Sequence, residues 1–221
     1  MTERVLITGA GRDTGRLLAL AFAARGAHVY VNARTTSAAE GTVALIEKAG
    51  GTAEALVADL KDLPDLINRS TDRLDVLVNN AARYLQGDVT DEAVSDTLAS
   101  GTATVLLTER LLPVLRKSSH PDIVNVISAV ADPGHRRSEA HAAFYAAKHA
   151  HAGYAEILSH RLRPEGIRVI SLYPPDFVQD GPRETGADLT AQSVVDCVLF
   201  AVNQPRDCFI KAFHFEQVVS G

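Results

Sequence analysis

Cysteine is nearly missing from these 221 residues: Cys197 and Cys208 are the only two. One pair cannot form a disulfide framework. Both sit among apolar residues, so they read as reduced core thiols of a cytoplasmic protein. A basic excess is missing too. Lysine plus arginine number 22 against 27 aspartates and glutamates, a formal net charge of −5. Phosphate contacts need the opposite balance, so nucleic acid is not expected as a partner. Long apolar runs are also lacking. Stretches such as 17–24 fall far short of the 18 or more residues that a spanning helix needs, and no membrane partner is expected. A signal-peptide pattern is not visible, since residues 1–4 lead directly into a strand-like run. No repeat, low-complexity tract or linker is found. What is there is 46% hydrophobic, enough for a packed core, and of a length that suits a single domain.

Short β-rich runs alternate with longer helical patterns. The strand candidates are 4–8, 28–33, 52–58, 75–79, 122–128, 168–173 and 209–213. Helical patterns cover 14–24, 38–49, 63–71, 92–117 with a break, 142–162 and 191–202. Several strands are apolar throughout, as in VLVNN and IVNVIS, which suits strands buried on both faces of a parallel sheet. Ser37 and Glu40 read as a capping box. Gly26 and Gly50–Gly51 follow helices as C-terminal glycines do. Repeated strand–helix units of this kind predict an α/β fold: a Rossmann-type doubly wound parallel sheet of about seven strands in a single domain. A mixed α+β domain is the alternative.

The first strand ends in Thr8-Gly9-Ala10-Gly11-Arg12-Asp13-Thr14-Gly15, and a helix follows. Such a turn lets the backbone approach a pyrophosphate at the positive end of the helix. It is also compatible with a tight turn that holds no ligand. The second strand ends in Asn32-Ala33-Arg34. An acidic side chain there would accept the ribose 2′-hydroxyl of NAD, and none is present. Arg34, with Arg12 in the glycine turn, can instead hold a 2′-phosphate, so NADP(H) is favoured over NAD(H). The other reading makes both arginines solvated surface residues.

The ordered motifs resemble the short-chain dehydrogenase/reductase family over nearly the whole chain. Thr8-Gly9…Gly15 resembles its TGxxxGxG turn. Asp59-Leu60 stands where the family's aspartate lies over adenine. Asn79-Asn80-Ala81-Ala82 resembles NNAG. Ser128 stands at the catalytic serine, Lys148 at the lysine of YxxxK, and Tyr173-Pro174-Pro175 at the Pro-Gly after the sixth strand. The resemblance implies a Rossmann fold and an NAD(P)(H) cofactor touched by Gly9, Arg12, Asp13, Gly15, Arg34, Asp59, Leu60, Asn80, Ala81, Lys148 and Pro174. It also implies a homo-oligomer, dimer or tetramer, built on the helices 92–117 and 142–162.

Departures from the pattern bear on chemistry. The family's catalytic tyrosine precedes the lysine by four residues, and Phe144 occupies that position. Residues i and i+4 share a helix face, so Phe144 is the neighbour of Lys148. Tyr145 lies about 60° away round the helix. The family's helix-kinking asparagine aligns with Ser100, and the middle glycine of the turn aligns with Asp13, whose charge would repel a pyrophosphate. The stretch 175–189, the family's substrate lid, is short. Substitute proton donors are Tyr145, His141, His135 and Tyr84, with the histidines also readable as solvated loop residues. No metal site is expected, because His149 and His151 are two apart and point to different faces.

Two classes of function follow. The first is an NADP(H)-dependent oxidoreductase acting on a ketone or imine of a small molecule, with Ser128, Lys148 and a non-standard donor in the site. An iminium substrate already carries its charge and needs no donor. The second is a non-redox protein on the same fold: a cyclase, isomerase, dehydratase or catalytically silent partner subunit, with no cofactor bound. A module that senses NADP(H) is a third possibility.

Overall fold

Strands that are apolar at every position bury both faces, and helices must then cover both sides. The computed structural model, which describes residues 2–132, 138–177 and 188–217, shows this arrangement. The strands are β1 (Arg4–Ile7), β2 (His28–Ala33), β3 (Thr52–Val57), β4 (Val76–Asn79), β5 (Asp122–Val126), β6 (Arg168–Tyr173) and β7 (Ala212–His214). They form one parallel sheet in the order β3-β2-β1-β4-β5-β6-β7. The order reverses direction between β1 and β4. That switch point opens a crevice at the carboxyl ends of the strands, the usual binding place in such sheets.

Helices α1 (Asp13–Ala24), α2 (Thr36–Lys48) and α6 (Ala191–Val202) pack on one face. There Leu18, Phe22, Ile46 and Val198 meet Val5, Ile7, Val29 and Val124. Helices α3 (Leu63–Ser70), α4 (Asp91–Leu115) and α5 (Ala142–Leu162) cover the other. There Ile67, Leu107, Leu111 and Leu158 meet Leu6, Leu77, Ile123 and Val169. Alternate residues of one strand thus feed two separate cores. The seven-stranded doubly wound expectation holds.

Several local expectations do not hold. α4 runs unbroken for 25 residues. Its threonines return their hydroxyls to the i−4 carbonyls: Thr97 to Ala93, Thr104 to Ser100 and Thr108 to Thr104, at 2.9–3.0 Å. Those bonds stay within the helix instead of competing with it. α4 meets α5 near Gly101 and Ala147, where a Cβ on Gly101 would sit at ordinary contact distance, 3.6 Å, from the Ala147 carbonyl oxygen. α4 is also long and apolar enough by length and composition to cross a membrane, but here it packs on β4 and α5. The Ser37–Glu40 capping box is not formed. α2 starts two residues earlier than read, with Thr35 as N-cap and no side-chain cap, so Ser37 lies inside the first turn. The last strand is displaced from 209–213 to Ala212–His214. A turn closed by Cys208 N–H to the Pro205 carbonyl (2.9 Å) and the stacking of Arg163 on Phe209 hold the residues before it outside the ladder. β5 ends at Val126, because the chain turns at Ser128 into a single helical turn, Ala129–Ala131. Gly26 and Gly50 do terminate α1 and α2 with φ of +85° and +82°.

At the amino ends of β5 and β6, Arg168 makes a bidentate pair with Asp122 (2.8 and 2.6 Å), both buried. Arg206 adds a bond to Asp122 at 2.6 Å. The remaining Arg168 protons go to the carbonyls of Val202, Gln204 and Cys208. A buried guanidinium with every direction satisfied is the arrangement such a charge requires.

Candidate active site

The glycine turn is fastened to the end of β4. Thr8 Oγ1 accepts from the N–H groups of Asn80 and Ala81, both at 3.0 Å, and donates to the Val78 carbonyl at 3.2 Å. Asn80 Nδ2 donates to the Thr8 carbonyl at 3.0 Å. Gly15 is packed so closely that a Cβ there would sit 2.3 Å from the Gly9 carbonyl oxygen and 2.7 Å from Asn80 Nδ2. Only glycine fits.

Three residues that the motif reading passed over complete this scaffold. Asn32 accepts from Gly9 N–H at 3.4 Å and donates to the carbonyls of Leu56 and Ala58 at 3.1 and 3.0 Å. Thr42 donates to the Ala10 carbonyl at 2.9 Å, and Arg16 bonds Thr42 at 3.1 Å and the Gly11 carbonyl. Arg16 therefore braces the turn from its protein side. Their partners lie 5–32 residues away, and no short motif announces them.

Arg12, the N-cap of α1, provides no side-chain cap. The helix thus presents its positive end to a pyrophosphate, and the residues present fit a dinucleotide. Asp13 disturbs that end. It has φ of +50°, a left-handed backbone, and its carboxylate lies 3.4 Å from Arg12 Nε. Arg34 and Asp59 are exposed at the ends of β2 and β3, and Leu60 is half-buried. Pro174 is buried, and its carbonyl accepts from Ala129 N–H at 2.8 Å.

Beyond the turn, α4, α5 and the segment after β4 line a small cleft with an open mouth. Lys148, Phe144, Ser100, Ala81, Thr104 and His151 are among its walls. Lys148 is 7% exposed. Its Nζ donates to the Val126 carbonyl at 3.1 Å and lies 5.6 Å from the centre of the Phe144 ring. Burial without a carboxylate partner pushes the amine down to about 8. His151, one turn on, is bonded through Nε2 to Asn125 Oδ1 at 3.0 Å. Burial first, and then the Lys148 charge, push it down to about 3, so it is a neutral imidazole. Asn125 in turn receives Asn79 Nδ2 at 3.0 Å. The reading of His149 and His151 as a failed metal pair missed this role; the i+3 spacing from Lys148 was the available signal.

The other named residues sit apart. Ser100 lines the cleft, but its hydroxyl donates to the Thr97 carbonyl at 2.7 Å. Ser128 Oγ accepts from Val130 N–H at 3.3 Å, capping the short turn. His141 caps α5, its Nδ1 accepting from Ala143 N–H at 3.1 Å. Tyr145 leaves the cleft and stacks on His149 at 6.4 Å. Tyr84 places its ring edge on Phe144 at 5.2 Å. Burial first, and then the Asp176 carboxylate, raise its phenol. His135 and most of the short lid stretch lie outside the described residues.

The sequence profile of the short chain dehydrogenase family matches residues 3–188. The chain belongs to that family. A 3-oxoacyl-[acyl-carrier-protein] reductase of Synechocystis is 31% identical over 202 residues, covering 86% of this chain and 80% of its own. A metagenomic short-chain oxidoreductase in complex with NADP superposes with a TM-score of 0.82 at 22% identity, covering 96% of this chain and 95% of that one. A 3-oxoacyl-[acyl-carrier protein] reductase with bound NAD from Brucella melitensis superposes with a TM-score of 0.83 at 23% identity, covering 96% and 88%. At these identities the superpositions speak for the fold. Family membership makes the chain an enzyme of the oxidoreductase type. The position four residues before Lys148 holds Phe144.

Proposed function

We propose that this short-chain dehydrogenase/reductase reduces a carbonyl or imine group of a small molecule with NADP(H), in the cytoplasm and as a homo-oligomer. The observation that carries the reading is the intact cofactor scaffold. Thr8, Asn80, Asn32 and Gly15 interlock around the turn, and Lys148 stands beside the cleft. The preference for NADP(H) rests on Arg34, exposed at the end of β2, with no acid there to accept a ribose hydroxyl. When bound, the cofactor supplies the hydride. Asn80 and the glycine turn would position it, the α1 end and Arg34 would hold its phosphates, and Lys148 would contribute its ammonium from the cleft wall. The solved relatives with NADP and with NAD support a dinucleotide of either kind. Exposed Leu98 and Leu106 on α4 and Ile157 on α5 support pairing of copies through those helices.

The non-redox reading is supported by Asp13 at the phosphate end and by Phe144 and Ser100 at the positions of the family's tyrosine and asparagine. Calorimetric titration with NADPH, and NADH as the control, separates the two. Tight binding with NADPH preferred, and weakened about tenfold more for NADPH than for NADH in Arg34→Ala, upholds the proposal. No binding at millimolar NADPH overturns it.

A further inference from the structure

On the carbonyl-reduction reading above, we infer that the Lys148 ammonium is itself the source of the proton delivered to the substrate oxygen. The site around it supports this. Lys148 faces the cleft from the middle of α5 and makes one hydrogen bond, to the neutral Val126 carbonyl. An ammonium has three protons, so two remain for other acceptors. The ring of Phe144, where the family has a hydroxyl, gives it an apolar neighbour that can neither share nor supply a proton. The other candidate donors are engaged or weakened: Ser128 Oγ and His141 Nδ1 accept from the N–H groups of Val130 and Ala143, neither residue lines the cleft, Tyr145 is outside it, and the Tyr84 phenol is raised.

The charged and titratable groups facing Lys148 are few. From α5 comes His151, neutral and tied to Asn125. From the segment after β4 comes Arg83, paired with Asp96. α4 contributes Thr97, Ser100 and Thr104, and β5 contributes the Val126 carbonyl; none of these is charged. No carboxylate among the described residues lines the cleft, so nothing holds the amine charged. Burial then makes it an acid that works near neutrality, as ordinary lysines do not.

The step balances. Lys148 breaks one N–H bond and gives the proton to the carbonyl oxygen, which takes the C=O π pair. The carbonyl carbon gains hydride from a reduced nicotinamide dinucleotide, which is oxidised. The amine left neutral recovers its proton from water at the open mouth of the cleft.

The test needs no cofactor at first. The chain has five lysines, at positions 48, 61, 117, 148 and 211. In protein labelled with ¹³C at lysine Cε, the resonance lost in Lys148→Arg identifies Lys148. It should titrate with a midpoint of about 8, well below the ordinary lysine value. A Lys148 midpoint near 10 overturns the inference. Lys148→Arg keeps the charge but cannot release it, so at saturating NADPH single-turnover reduction of a 3-oxoacyl thioester should fall by about 10² or more. A rate within threefold of wild type overturns it as well. Where the thioester is not turned over, the titration decides alone. Failure of the wild type to bind NADPH refutes the reductase reading, and the inference with it. NADPH binding with an ordinary Lys148 midpoint refutes the inference only.

Discussion

Asp13 places a negative charge where the structure offers a phosphate its best contacts, and replacing it should tighten cofactor binding. At a separation of ~7 Å, a carboxylate repels one phosphate charge by roughly 0.6 kcal/mol in water-like surroundings and roughly 2.4 kcal/mol at an effective dielectric of 20. Arg12 Nε, 3.4 Å from the carboxylate, offsets part of this, and both side chains are exposed. The lower end therefore applies, about 0.5 kcal/mol, or roughly a twofold fall in the NADPH Kd. Asp13→Gly and Asp13→Asn should share that gain, since both remove the charge. They should differ in stability. Asp13 has φ of +50°, a conformation that costs an L-residue roughly 1–2 kcal/mol and glycine almost nothing. Glycine's larger unfolded-state entropy returns about 0.5–1 kcal/mol of this. Asp13→Gly should thus raise the melting temperature slightly, and Asp13→Asn should not. The assay is calorimetry at low salt and again at 1 M salt, where a Debye length of about 3 Å should erase the affinity gain. Wild-type Kd values in both variants at low salt, with folding intact, would refute the electrostatic reasoning.

Three other outcomes follow from the described geometry. Arg168→Met leaves Asp122 with only Arg206 and opens three carbonyls, so it should lower stability by about 3–5 kcal/mol in urea unfolding; a loss under 1 kcal/mol would show that the cluster is not a structural anchor. His151 is held neutral to about 3, whereas in the unfolded chain it takes a proton below about 6.5. Between those values the unfolded state binds the extra proton, so stability rises with pH across that window, by up to about 1.4 kcal/mol per unit. His151→Leu should flatten urea midpoints measured there, and parallel curves for the two proteins would contradict the burial argument. Phe144→Tyr should raise ketone reduction about 10²-fold or more by adding a phenol beside Lys148, and an unchanged rate with normal NADPH binding would mean the substrate oxygen lies elsewhere.

The sheet was legible because burial on both faces writes each strand as an apolar run, and because glycines mark the turns. Its local punctuation was less so. Ser37 and Glu40 have the right spacing for a cap, but packing of Ala39 and Ile46 on the sheet starts the helix at Thr36. Residues 209–213 have strand composition, yet the Arg168 bonds to carbonyls on both sides of the preceding turn delay pairing to Ala212. In the site, residues read by motif lie at the expected strand ends. Of those read as spare donors, His141 caps α5, because an imidazole beside a helix start finds unpaired N–H groups first, while Tyr145 and Tyr84 are taken up by ring contacts with His149 and Phe144. Asn32, Thr42 and His151 were silent, since their meaning depends on partners brought near only by the fold.

The ionic cluster of Asp122, Arg168 and Arg206 stands at the opposite end of the sheet from the glycine turn and the cleft. It joins β5 and β6 to the close of α6 without using any residue of the site. The pin at the amino edge shares no residue with the carboxyl edge, where Thr8 and Asn80 make their own separate fastening. In this chain an aromatic ring, a serine and a carboxylate stand where the family has a phenol, an amide and a glycine, on a framework that stays closed around its two cores. The separation of anchor from site is what gives such a fold room to change its chemistry faster than its shape.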